Sequence, residues 1–466
     1  MPAQNYSGQR CQHDFRVEIA LRFPGDRTVA FAGLDDRPAV WIELPCTFCM
    51  ITRTIALFGL AMSLARASAA GPQSADTLAA LTEPREVRAA LDAVKSDAAI
   101  VDDQIRFCEI PAPPFKEERR AHALRLEFEH LGLLDVHIDK AGNVLGSRPG
   151  VAARPHVVVA AHLDTVFPEG TSVRVKRDGS VLTGPGIGDN CRGLATLVAI
   201  ARVLNRAGVK TPGSLTFVAN VGEEGLGNLR GVRELLDHTI QTPIDRFLTI
   251  DGTGLFAANV EVGSHRYRVA FSGPGGHSYA SFGTPNPIQA MGRAIARISQ
   301  IRVPDRPRTT FSVGRVGGGT AVNAIPADCW MEVDLRSSSA SALTALDAEF
   351  RKAVDDAVRD ENARWSRPRS VSAKVELSGD RTAGRTVETA PIVRTALSVA
   401  QVLGLSVPLT ESSTDASVAI ARGIPAIAIG AGGRGMGQHS TAETFDTTDA
   451  WRGTQYAVLL VVALAR

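Results

Sequence analysis

The sequence predicts an α/β protein: a largely parallel sheet covered by helices on both faces, interrupted by a smaller inserted α+β (ferredoxin-like) domain. Short, continuous apolar runs such as "HVVVAAHLD", "SLTFVANV" and "RFLTID" alternate with helical patterns such as "GLATLVAIARVLNRAG" and "LRGVRELLD". Strands read as unbroken apolar runs when helices cover both faces of their sheet. Beyond Asp251 the order becomes strand, helix, strand, strand, helix, strand, from "EVGSHRYRVAFSG" to "SAKVELSG", which is a split βαβ unit. Then "PIVRTALSVAQVLG" and "IPAIAIG" resume the first texture. The expected division is a main domain formed by residues 71–260 and 381–466, with a lid or dimerisation domain inserted at 261–380.

Ahead of the first strands, apolar residues at three- and four-residue spacing from about Ser74 to Leu134 predict helices. The stretch before that reads as a leader, residues 1–70. Met50 opens "MITRTIALFGLAMSLARASAAG", an early arginine, an apolar run and then small residues, which is the layout of a secretory signal peptide. The run is shorter than the roughly 20 residues a spanning helix needs. The expectation is export to the periplasm or beyond, with 50–70 as the signal, Met1 to Cys49 upstream of the true start and no membrane span in the mature chain. The alternative is a cytoplasmic protein with an amphipathic leader.

At 466 residues, 44% hydrophobic, 21% charged and with a net charge of +2, the chain has the composition of a globular protein large enough for two domains. Near-neutrality gives no electrostatic reason to expect nucleic acid or an anionic membrane as partner, which leaves a small molecule. Of Cys11, Cys46, Cys49, Cys108, Cys191 and Cys329, three survive signal cleavage, an odd number that argues against a disulfide framework. No second pair completes Cys46-x-x-Cys49 as a zinc knuckle.

The chemistry is expected where the apolar strands end, because open α/β sheets bind ligands at the carboxyl edge. His162 and Asp164 close "VVVAAHLD", and Asp189 lies in "GPGIGDN". Glu223 and Glu224 follow the second strand, Asp251 follows the third, and His439 follows the last in "GRGMGQHST". Any one of these reads ordinarily as a cap or surface residue; five segments delivering acids or histidines to one edge read as a metal site. Two divalent ions bring four positive charges, which three carboxylates and a shared hydroxide cancel. The nitrogen and oxygen donor set suits zinc, with cobalt or manganese as alternatives. Asp164, on the same face as His162, is placed to hold the second imidazole nitrogen. Glu223 and Glu224 are neighbours in an extended segment and point in opposite directions, so they should do different work.

In order, "HLDTV", "GPGIGD", "GEEG", "TIDG", "GPGGHS" and "GQHST" resemble the motifs of the co-catalytic dizinc exopeptidase and deacylase family, from about Ser74 onward. The resemblance implies that His162 and Asp251 bind one zinc, Glu224 and His439 bind the other, Asp189 bridges them and Glu223 is the general base. It further implies that His277 crosses to a partner subunit to stabilise the oxyanion, making a homodimer, and that Asn323 and Arg336 hold the substrate. Without it, His277 reads as a turn residue and Arg336 as a strand-end arginine in a surface ion pair. The implied activity is exopeptidase action on short peptides, with N-acyl-amino-acid deacylation as the close alternative. One departure is the run Asp189-Asn190-Cys191-Arg192-Gly193, where the family usually has a small or acidic residue, then lysine and glycine; this puts the geometry beside the metals in question.

Other readings are weaker. "GAGGRG", Gly430 to Gly435, satisfies a dinucleotide-binding pattern, but it runs into "MGQHSTAETFD" rather than an apolar helix. A dinuclear phosphohydrolase would need basic residues in the metal loops, of which Arg192 is the candidate. A non-catalytic scaffold would be expected to have lost a ligand or the base, and none is missing.

Overall fold

The computed structural model describes residues 80–365 and 370–466. The leader, its signal segment, Cys11, Cys46 and Cys49 lie outside the described residues. Helices Arg85–Ser96, Ala99–Cys108 and Glu118–His130 come first, breaking the anticipated helical stretch at Asp97 and again around Pro111 to Pro114.

A nine-stranded sheet comes next. Its order is Leu134–Ile138, Val144–Arg148, Ser214–Asn220, His156–His162, Arg246–Ile250, Ala426–Ile429, Ala257–Glu261 and Gly384–Arg385, with Leu409–Ser412 also paired to Ala257–Glu261. The four strands from Ser214–Asn220 to Ala426–Ile429 run parallel. Antiparallel pairs flank them on both sides, so the sheet is mixed. The strands Leu134–Ile138, Val144–Arg148 and Leu409–Ser412 escaped the sequence reading because they are short and only partly apolar, "LDVHI", "VLGSR" and "LTES".

Strand His156–His162 shows why the centre reads as continuous apolar sequence. Val157, Val159 and Ala161 enter the core beneath the helices Cys191–Arg206 and Trp451–Leu464. Val158 and Ala160 enter the core on the opposite face with Val232, Phe247 and Ala419. A period of two thus carries apolar side chains into both layers.

The second sheet has the order Thr309–Gly318, Asp328–Ser337, Gly263–Ser272 and Ser372–Arg381, all antiparallel. Cys329, Met331, Val333 and Leu335 alternate inward against the helices Pro287–Ile298 and Ala340–Ala363. Trp330, Glu332, Asp334 and Arg336 are left on the other face. Each helix starts at a side-chain cap: Asn286 accepts from the Ile288 and Gln289 amides, Ser339 from the Ala342 amide.

Candidate metal centre

Parallel strands bring their carboxyl ends to one edge, and the acids and histidines gather there. His162 is the last residue of its strand and sits level with Asn220 on the next. Asp251 follows Ile250 directly. Asp189 precedes Asn190, whose side chain caps the helix Cys191–Arg206 by accepting from the Gly193 amide and also donates to the Ile250 carbonyl at 2.9 Å. One asparagine therefore ties the Asp189 turn to the Asp251 strand end.

Gly222 lets the chain turn between Asn220 and the two glutamates. Its φ is +68°, and an added Cβ would lie 2.6 Å from Nη1 of Arg230, so glycine is required twice over.

The donors fall into two sets sharing one carboxylate. His162 Nε2 lies 3.2 Å from Asp189 Oδ1 and 3.5 Å from Asp251 Oδ1. His439 Nε2 lies 3.2 Å from Asp189 Oδ2 and 3.2 Å from Glu224 Oε1. Within each set, His162, Asp189 and Asp251 or Asp189, Glu224 and His439, the donor atoms lie within 4.8 Å of one another. Each set offers one nitrogen and carboxylate oxygens, which fits a divalent ion of the zinc type. Nδ1 of His162 is 3.0 Å from the main-chain carbonyl of Asp164. A carbonyl only accepts, so Nδ1 carries a proton there and Nε2 is the nitrogen left facing the donor set, where a metal would take the place of its proton.

Asp164 faces that nitrogen through its side chain as well. Its carboxylate is 3.6 Å from His162 Nδ1, and its short bonds run from the amides of Glu223, 3.0 Å, and Glu224, 2.8 Å. The carbonyl makes the shorter contact with the imidazole, and the carboxylate faces it while also holding the glutamate turn. The two glutamates have different partners, Glu224 meeting His439 while Glu223 Oε1 accepts from Arg381 Nη1 at 2.8 Å, although both carboxylates come close to His162.

Charge is heavily one-sided here. Asp164, Asp189, Glu223, Glu224, Asp251 and Asp415 face the guanidinium of Arg381 and two imidazoles. Burial opposes a charge on His162, yet hydrogen bonds to Asp164, Asp189 and Asp251 hold it well above the usual imidazole range. Bonds to Asp189 and Glu224 push His439 up to about 10. Burial raises Glu223 and Glu224 and pushes Asp415 up to about 7. A site this short of cations is one that divalent ions relieve.

Sequence reasoning missed Arg381, Arg266, Asp415 and Glu443. Glu443 is fully buried and accepts from the amides of Gly186, Gly188 and Asp189 at 2.9–3.0 Å; its position four residues past His439 was the available signal. Asp415 looks like a cap for the short helix Ala416–Ala421 but makes no cap bond, accepting instead from the Asn220 side chain at 2.8 Å. Arg266 and Arg336 both bond Asp334 and, with Arg381 and the acids Asp189, Glu223, Glu224 and Asp251, line a cavity of about 340 Å³. A larger groove of about 830 Å³, beside Arg306, Arg308 and Arg385, contains none of the clustered donors.

Other sequence-predicted residues stand apart. His277 is exposed on a two-stranded ribbon, Gly276–His277 with Ala324–Ile325, Asn323 is exposed in the turn just before Ala324, and neither lines the cavity. Cys191 packs with Cys108 and Phe445. Arg192 is buried and donates to the Ala431 and Ala450 carbonyls and to Thr454, so it is not free to grip a phosphate. Gly430 to Gly435 leads into the strand Arg434–Met436, not a helix.

Fold and donors together define an α/β protein with two adjoining carboxylate and imidazole donor sets, a candidate metal centre, at its sheet edge. Residues 158–463 match the profile of peptidase family M20/M25/M40, and the chain belongs to that family. It is 27% identical over 237 residues to a probable carboxypeptidase of Aspergillus terreus, covering 47% of this chain and 53% of that protein. It is 23% identical over 263 residues to the N-acetylcysteine deacetylase of Bacillus subtilis, covering 53% and 67%. The chain thus spans about half to two thirds of the length of these curated relatives. The fold resembles a tripeptidase from Staphylococcus aureus at TM-score 0.66 and 21% identity, over 79% of this chain and 98% of that one. Among the described residues, no helix is long and apolar enough to cross a membrane.

Proposed function

We propose that the chain is a metal-dependent exopeptidase that hydrolyses the amide bonds of short peptides with two zinc ions per subunit, cobalt or manganese being able to substitute. The observation that carries this reading is Asp189, whose two oxygens face different histidines and so belong to both donor sets. His162 and Asp251 would hold one ion and Glu224 and His439 the other, with Asp189 available to both. When bound, the metal pair polarises the scissile carbonyl and lowers the pKa of water.

The chain's own groups do the rest. Glu223 takes a proton from the attacking water as its oxygen adds to the carbonyl carbon, and returns it to the amide nitrogen as the carbon–nitrogen bond breaks. A positioned carboxylate in this role contributes about 10²–10⁴-fold. Asp164 fixes the turn that presents both glutamates. Arg336 forks onto a free substrate carboxylate, and Asn323 assists in holding the substrate. His277 of a second copy donates to the developing oxyanion. A homodimer is supported by the exposure of His277 beside Tyr279, Phe282 and Val322, large apolar side chains open to solvent.

Deacylation of N-acyl amino acids is the second reading, supported by the similarity to a deacetylase. Export, with the signal at 50–70, rests on the sequence layout; N-terminal sequencing of the native protein tests it, and a retained Met1 or Met50 would overturn it.

Hydrolysis of a panel of dipeptides, tripeptides and N-acyl amino acids, with chelator and then with zinc, cobalt or manganese restored, tests the activity. Chelator-sensitive release of amino acids from free peptides is expected. Release from acylated substrates alone would transfer the same residues to a deacylase. Glu223→Gln should retain metal and lose most turnover; unchanged turnover would remove Glu223 as the base.

A further inference from the structure

Glu223 stands close enough to the metal centre to be a ligand. Its carboxylate, His162 and Glu224 form a third group whose donor atoms lie within 4.8 Å of one another. A carboxylate bound to a metal cannot also be the free base that the proposed reaction needs. Something must hold it back, and the structure supplies a guanidinium.

Arg381 is buried, 4% exposed, at the end of the strand Ser372–Arg381 in the smaller sheet. Its Nη1 donates to Glu223 Oε1 at 2.8 Å and to the Ser413 carbonyl at 2.7 Å. Its Nη2 donates to the main-chain carbonyl of Glu223. Side chain and backbone of one residue are thus clamped by one planar fork, with Ser413 anchoring the fork itself. A buried ion pair of this kind is a weak source of stability, but the bonds to the side chain and main chain of Glu223 fix how that residue lies.

We propose that Arg381 is a positioning residue that withholds Glu223 from the metal ions, so that of two adjacent glutamates one binds metal and the other remains a base. Because Arg381 ends a strand of the smaller sheet while Glu223 stands in the loop just past a strand of the larger, the seat of one sheet on the other sets the base. This rests on the reading of the site as a two-metal hydrolase.

The test compares wild type, Arg381→Met, Glu223→Gln and the double variant, each loaded with cobalt(II). Measured are the visible absorption spectrum, the cobalt affinity by competition with a chelator, and kcat and KM on the best peptide of the panel. Arg381→Met should change the spectrum, bind cobalt at least about threefold more tightly and lower kcat at least about tenfold with KM little moved. In the Glu223→Gln background the same substitution should leave spectrum and affinity unchanged, the non-additivity expected of residues acting through one another. Arg381→Lys, which keeps the charge but not the fork, should fall between, and it carries the comparison if Arg381→Met does not fold. Identical spectra and affinities in wild type and Arg381→Met would overturn the proposal, as would equal effects in both Glu223 backgrounds. If wild type binds cobalt but cleaves no amide, the functional reading fails while the spectra still decide the role of Arg381; no cobalt binding at all overturns both.

Discussion

Glu443→Gln is the substitution that should separate metal binding from stability most clearly. The Glu443 carboxylate receives three amides, Gly186 on one oxygen and Gly188 and Asp189 on the other. Glutamine has a single acceptor oxygen, so at least one of those N–H groups is left facing an NH₂. An unpaired buried donor costs about 1–3 kcal/mol, and each surviving bond loses about 1 kcal/mol on ceasing to be charge-assisted. Against that, burial pushes Glu443 up to about 7, so the charged carboxylate is itself unfavourable there and the amide avoids that cost. The two effects oppose each other in global stability, which should change by no more than about 2 kcal/mol. They do not oppose each other at the Asp189 turn, where the lost bonds are concentrated. Metal affinity should fall about 10–100-fold, the usual range for groups that orient ligands. Competition titration against a chelator, beside thermal unfolding of the metal-free protein, reads both quantities. Affinity within twofold of wild type would refute the argument that Glu443 places the bridging carboxylate.

Asp164→Asn should weaken both metal binding and turnover at least about tenfold, because its amide group can accept from only one of the Glu223 and Glu224 amides; metal content and kcat check it. Gly222→Ala should cost about 1–3 kcal/mol of stability and most activity, since a φ of +68° and a Cβ 2.6 Å from Arg230 both resist it. Denaturant unfolding of the variant decides this, and a loss under about 0.5 kcal/mol would count against it. Glu261 is fully buried, and burial pushes it up to about 8. The folded state therefore holds that proton more tightly than the unfolded chain, so the stability it contributes is complete below about pH 4.5 and is lost as pH rises to about 8. At about 1.4 kcal/mol per unit this reaches several kcal/mol. Glu261→Gln should match wild type in denaturant at pH 5 and exceed it at pH 9, while equal stability at both would sink the assignment.

How far the sequence could be read depended on whether a residue's role was set locally. The buried parallel strands were legible because Val157 to Ala161 supply apolar side chains to two layers, and only a sheet covered on both faces asks for that. His162 and Asp251 stood out because they end such strands or follow them directly, whereas Asp189, in the turn before the helix Cys191–Arg206, and His439, ten residues past Ala426–Ile429, were singled out by their glycine-rich motifs. The edge strands were not, because a strand paired on one side and half exposed, such as Leu134–Ile138, has no distinctive pattern. Arg381 was invisible for a different reason. Its partners are 158 and 32 residues away along the chain, and "SGDRTAG" reads as a polar connection. Alternation placed Asp164 on the face of His162, but it does not say that its carbonyl would share the imidazole nitrogen or that its carboxylate would also take the Glu223 and Glu224 amides.

Metal-type residues need free lone pairs, so they cannot be fixed by strong internal hydrogen bonds to those same atoms; their backbones have to be held instead. The structure does this segment by segment. Asp164 accepts the Glu223 and Glu224 amides, Glu443 accepts the Asp189 amide, and Asn190 donates to the carbonyl before Asp251. Arg120, fully buried, donates at 2.6 Å to the carbonyl of Leu163, between His162 and Asp164. These four holding side chains are distributed over different elements, so the loss of any one loosens a single ligand and leaves the fold's hydrophobic layers intact. Substitutions at these residues should therefore lower metal affinity before they lower stability, whereas substitutions in the strands, such as Phe217→Ala at about 3–5 kcal/mol, should do the reverse.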